Sequence, residues 1–183
     1  MDKYDWRNGS NCSIIAGDSY QGGILFYILQ PADAGYVGGQ THGLIAGTAV
    51  TSDFYIEWWN NDYTSTGATG TAIGTGLNNT TSIISSQFDT GSYAAKVARD
   101  YNGGNFTDWY LPSILELQLM YTNIGQGAAS PNTNIGVFAD YRYWSSTQFN
   151  FGNQHARTVD FTNGSQSYAD KSEAFLVRAI RTF

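Results

Sequence analysis

The stretch Asp108-Trp109-Tyr110-Leu111-Pro112-Ser113-Ile114-Leu115-Glu116-Leu117 constrains this chain more than any other. Trp109, Tyr110 and Leu111 are bulky and β-prone, and they predict a short buried strand. Pro112 ends the extended segment. Ser113 and Glu116 have the spacing of a capping box, in which the Ser hydroxyl accepts from the backbone N–H of residue 116 and the Glu carboxylate reaches back to that of residue 113. Beyond the cap, Leu115 and Leu119 fall on one face, and Ile114, Leu117, Tyr121 and Ile124 on an adjacent one. So wide an apolar surface predicts a mostly buried helix, stopped by Gly125 and Gly127.

Other elements fall into place on both sides of this junction. Gly22-Gly23 opens the apolar run Ile24-Leu25-Phe26-Tyr27-Ile28-Leu29, which reads as a central strand buried on both faces. Gly43–Gly47 reads as a second short strand. Asn78 or Asn79 is suited to cap a helix through Ile83 and Ile84. Tyr93, Ala94, Val97, Ala98 and Tyr101 repeat with helical spacing. The last third is strand-like: Tyr143–Thr147, then Ala156–Phe161, the turn Thr162-Asn163-Gly164-Ser165, a return strand over 166–169, and Phe175–Arg181. Strands, helices and strands in that order predict an α+β fold with a mixed, mainly antiparallel sheet and two or three helices. The apolar first and last strands are expected to pair. Residues 1–17 read as an N-terminal arm or linker, with Trp6 as its anchor, and 18–183 as one domain.

Charge and cysteine content exclude several functions. The net charge is −6 with no run of Lys or Arg, which argues against nucleic acid and anionic membranes as partners. No segment approaches the length of a membrane span, and the N-terminus shows no signal-peptide pattern. Cys12 is the only cysteine, so neither an internal disulfide nor a cysteine-based zinc site is expected. The Asn- and Asp-rich run Trp58-Trp59-Asn60-Asn61-Asp62 lacks calcium-loop spacing, and turn chemistry is expected there in place of a metal. His42 reads as structural. The acids Glu57, Asp62, Asp108, Glu116 and Asp160 are scattered, with no pairing set by spacing, and His155 has no nucleophile elbow near it. Neither catalysis nor a cofactor is expected. Arg178 and Arg181 are expected to pair with acids such as Asp108 or Glu116. Trp109 and Trp144 are expected in the core.

Six pieces in order, Gly22–Tyr27, His42–Ala46, Thr66–Thr71, Asp108–Ser113, Tyr143–Thr147 and Val177–Arg181, resemble the Lcl C-terminal-like domain family, named for a bacterial collagen-like adhesin. The resemblance implies a C-type-lectin-like fold, related to that of formylglycine-generating enzymes. It also implies display on a virion or cell surface, and assembly as a homo-oligomer, with a trimer as the expected form. The acidic balance of this chain argues against a sulfated polysaccharide, which the adhesin that names the family binds through basic residues. Formylglycine chemistry needs cysteines that Cys12 alone does not supply.

The segment 141–171 interleaves polar and aromatic side chains with small or apolar ones. Gln148, Asn150, Phe151, Asn153, Gln154, His155, Arg157, Asp160, Gln166, Tyr168 and Asp170 are therefore the expected ligand-binding residues, on a face that meets a glycan or protein receptor. If Ala156 and Thr158 point inward, strand alternation sends His155 and Arg157 outward beside Tyr168. The competing readings are a structural subunit of a virion or surface fibre, held by the arm, and an enzyme on the same fold.

Overall fold

The computed structural model describes residues 4–5, 10–11, 14–48 and 55–183. Trp6 and Cys12 lie outside these, and with them much of the expected arm. The described residues form β1 (Tyr4–Asp5), β2 (Ser10–Asn11), β3 (Ser19–Tyr20), β4 (Gly23–Ile28), β5 (Gly43–Gly47), β6 (Ile56–Glu57), α1 (Gly76–Gln87), α2 (Ala94–Asp100), α3 (Ile114–Ile124), β7 (Arg142–Gln148), β8 (His155–Asp160), β9 (Gln166–Asp170), β10 (Ala174–Phe175) and β11 (Ile180–Thr182). This is an α+β fold of antiparallel sheets and three α-helices.

One sheet has the order β11-β5-β4-β3, and another the order β7-β8-β9. β4 and β11, from the two apolar segments expected to pair, thus share a sheet but do not pair with each other. β5 lies between them, with Ile24 opposite Ala46 and Ala46 opposite Ile180. Nor is Phe175–Arg181 one strand. Leu176 exchanges backbone bonds with Arg142 and Trp144 of β7 at 3.1 and 2.9 Å, whereas the Ala179 carbonyl accepts from Gly47 at 2.9 Å. The segment crosses from one sheet to the other and ties them together.

The decisive junction sits at the centre. Tyr110 and Ile180 exchange backbone bonds at 2.8 and 2.9 Å, so the expected strand is a single bridge. The capping box forms as read: the Glu116 N–H donates to Ser113 Oγ at 3.3 Å, and the Ser113 N–H donates to Glu116 Oε2 at 2.7 Å. The buried face of α3 is Ile114, Glu116, Leu117, Met120 and Ile124. Leu115 is exposed, because the neighbouring elements cover a narrower stripe than the apolar sequence offers. The Glu116 carboxylate also accepts from the Gly74 N–H at 2.8 Å, and so fastens the start of α1 to the start of α3. Burial pushes its pKa up to about 7.

α1 begins at Gly76, before the expected caps. Asn79 lies inside the helix, where its carboxamide accepts from the Gly70 N–H and donates to the Gly70 carbonyl at 3.1 and 2.7 Å. Two apolar clusters lie on opposite sides of the sheets. One joins α1 and α2 to Trp58, Trp109 and Trp144; the other joins α3 to Phe26, Tyr143 and Phe161. Ile45 belongs to the first while Leu44 and Ala46 belong to the second, which explains the unbroken apolar run of a strand covered on both faces.

Candidate functional site: an aromatic and arginine face

The register of β8 and β9 sets the site. Arg157 stands opposite Tyr168, and His155 opposite Asp170. Ala156 and Thr158 are fully buried, so Arg157 and His155 project to the other face, as alternation requires. Val159 shares that outward face, yet it is buried with Leu117 of α3 in the second apolar cluster. α3 therefore covers one end of the face and leaves the end nearest the 149–154 loop open.

At the open end the side chains converge. The rings of Phe149 and Tyr168 stack at 4.3 Å with an interplanar angle of 12°. Phe151 lies 6.2 Å beyond Phe149, and His155 meets Tyr168 edge-on at 5.4 Å. The Arg157 guanidinium carbon is 5.3 Å from the Phe149 centroid. Phe151 is 83% exposed and Tyr168 is 51% exposed. Water bathes a contiguous aromatic surface that folding would otherwise bury, with a planar cation beside it. Such a group offers flat apolar faces to a sugar ring or an aromatic side chain, and Arg157 adds fork-like donors.

Phe149, the residue that follows β7, is absent from the expected site. Its placement follows from an irregularity in β7. Trp144 stands opposite Thr158, but Gln148 stands opposite Ala156, so β7 carries extra residues at 145–147. Their side chains serve the interior. Thr147 Oγ1 accepts from the Ile114 N–H at 3.0 Å, and Ser145 Oγ donates to the Arg157 carbonyl at 2.8 Å.

The remaining expected residues separate. Gln148 is a correction: it is buried, and its Oε1 accepts from Thr66 N, Thr66 Oγ1 and Lys171 Nζ at 3.0, 2.8 and 3.2 Å. A side chain so engaged does not face a receptor. Asp160 is a second correction. It lies at the far end of β8, where it caps the hairpin turn by accepting from the Thr162 N–H at 2.9 Å. Gln166 donates to Gln118 of α3 at 3.1 Å, beside the covered end. Asp170 is on the outward face, but its Oδ1 accepts from Tyr63 Oη and Ser172 Oγ, each at 2.7 Å. Tyr63 in turn lies 4.1 Å from Trp59, so Asp170 joins a further aromatic pair to the face. Asn150, Asn153 and Gln154 are exposed in the loop that rims it.

Lys171 lies beneath the face. It is buried, with Nζ 4.4 Å from the Trp58 ring centroid, and burial lowers its pKa to about 8. His42 bonds the Phe183 carbonyl at 2.9 Å, a structural role as expected. Arg181 grips Asp108 in a fork at 2.7 and 2.8 Å and lies 3.8 Å from the Phe106 centroid. Its hydrogen bonds hold the Asp108 carboxyl below the usual range. Arg178 is directed mainly to the backbone carbonyls of Gly47, Gly136 and Val137. In the expected turn at 58–62, the Asn60 amide donates instead to the carbonyls of Gln87 and Thr90, each at 2.8 Å. Among the described residues, no three His, Cys, Asp or Glu side chains converge to hold a metal ion, and no helix is long and apolar enough to cross a membrane.

The fold and the open aromatic face together define an α+β domain with a surface suited to recognition. Residues 51–181 match the model of the Lcl C-terminal domain, and the chain belongs to that family. Membership suggests a surface or adhesion-type module. The structure extends the body ahead of the matched segment, since β3, β4 and β5 share a sheet with β11. No curated protein matches the chain.

Proposed function

We propose that this chain is a non-enzymatic recognition module with a C-type-lectin-like fold, displayed on a cell or virion surface as a homo-oligomer. It binds a glycan or protein receptor through Phe149, Phe151, His155, Arg157 and Tyr168, with Asn150, Asn153 and Gln154 at the rim. The observation that carries this reading is the stacked, solvent-exposed aromatic group with Arg157 beside it. Family membership supports the surface role. The perturbed titratable groups also support a binding role over a catalytic one. Glu116 and Lys171 are consumed in buried structural networks and do not converge in an open cleft.

The test is a double change, Arg157→Ala with Tyr168→Ala, assayed on arrays of neutral glycans and on intact cells. Residues at the centre of a recognition surface commonly cost about 2 kcal/mol each when truncated, so binding should fall at least ~30-fold. The far-UV circular dichroism spectrum and a cooperative urea transition should be retained, because both side chains lie outside the core. Undiminished attachment by a folded double variant would refute the assignment and favour the assembly-subunit reading.

A further inference from the structure

A second concave surface lies at the other end of the β7-β8-β9 sheet. It is built around the Arg142–Asp160 pair, at the opposite end of β7 and β8 from Gln148 and His155, with Glu173 between that pair and the Asp170 N–H. It is an open pocket of about 410 Å³, lined among others by Asp140, Tyr141, Arg142, Asp160, Glu173 and Phe175. Phe175 is buried and forms its apolar part, 6.1 Å from the Tyr141 ring. Tyr55, 58% exposed, meets Tyr141 edge-on at 5.0 Å and extends the aromatic wall.

We propose that this pocket is a second binding site, which takes a lysine or arginine side chain from a partner protein. Its charge is the first argument. Its lining holds three acidic residues and one arginine, which leaves an excess of negative charge beside aromatic rings. The chain's own Arg142 supplies the second. Its guanidinium carbon is 5.7 Å from the Phe175 centroid, and its Nε is 3.9 Å from Asp160 Oδ2. The pocket thus already seats one planar cation against an aromatic ring and a carboxylate.

Arg142 satisfies only one of the acids. Asp140 accepts from the neutral Gln126 amide at 2.7 Å, and Glu173 from the Asp170 N–H at 3.3 Å. Among the described residues neither is ion-paired, so two carboxylates remain for an incoming cation. The acids do not converge on one point as metal ligands would, whereas an ammonium or guanidinium on a flexible apolar stem can lie along Tyr141 and reach them. An anionic partner is repelled by the same charges.

The experiment is a ¹⁵N-resolved NMR titration of the full chain with acetyl-Gly-Lys-Gly-amide and acetyl-Gly-Arg-Gly-amide. The norleucine peptide of the same length is the neutral control. The basic peptides should shift the amides of Tyr141, Asp160 and Glu173 saturably, and the neutral peptide should not. Asp140→Asn with Glu173→Gln should weaken binding about tenfold, since each half-exposed ion pair contributes a few-fold. The variant Arg157→Ala with Tyr168→Ala should bind the basic peptides unchanged, which separates this site from the aromatic face. Three results would overturn the proposal: equal shifts by the norleucine peptide, unchanged affinity in the charge-neutral variant, or no shift with wild-type protein.

Discussion

Gly76→Ala is expected to destabilise the protein, although a helix ordinarily gains from that change. Ala is favoured over Gly within helices by up to ~1 kcal/mol. Gly76 opens α1 with no left-handed φ, so an alanine suits its backbone, and only its surroundings oppose the change. A Cβ built there overlaps Glu116 Oε2 and lies 2.9 Å from both the Leu111 carbonyl oxygen and the Ser113 nitrogen. The site is fully interior and holds the carboxylate that binds the starts of α1 and α3 together. Overpacking a core costs about 1–3 kcal/mol, and disturbing hydrogen bonds to a charged group about 1.5–3 kcal/mol more. Set against the helix gain, the net loss is about 1.5–5 kcal/mol, or roughly 4–13 °C in Tm for a chain of this size. Urea denaturation followed by tryptophan fluorescence measures it. Gly38→Ala, where a Cβ meets nothing within 4 Å, is the control and should stay within ~0.5 kcal/mol of wild type. A Gly76→Ala protein as stable as wild type, or more so, would refute the idea that this contact governs the junction.

Other outcomes are expected from the same structure. Glu116 has its folded pKa raised from 4.5 to about 7, so its contribution is fully present below pH 4.5 and is lost as pH rises through 7. Stability should therefore fall by up to ~3 kcal/mol across that interval, and Glu116→Gln should flatten this part of a pH series of urea melts. Arg181→Lys should cost about 1–3 kcal/mol in denaturation despite the retained charge, because an ammonium replaces neither the fork on Asp108 nor the stacking on Phe106. The same Arg181 bonds lower the Asp108 pKa, so acid titration should weaken the pair only below the ordinary aspartate range, with a modest effect because Asp108 is half exposed.

Patterns confined to about ten residues were legible without coordinates. The Ser113–Glu116 cap, the helical spacing of residues 93–101, the strand at 43–47 and the turn at 162–165 each rest on local hydrogen bonding or side-chain period. Alternation likewise placed His155 and Arg157 outward beside Tyr168, as β8 and β9 are found. The tertiary structure decided what stands next to what. β5 separates β4 from β11 because two apolar strands signal burial but not adjacency. Gln148 and Phe149 are neighbours in the chain, yet one is drawn inward by Thr66 and Lys171 and the other is stacked on Tyr168. The extra residues of β7 set that division, and nothing in the composition of Ser145-Ser146-Thr147 marks them as irregular. Residues Asp160 and Arg157 are three apart on one strand, and alternation sends them to opposite faces. Which face α3 covers, and where that cover ends, is settled by contacts between segments some forty residues apart, and it is this that leaves the aromatic face open.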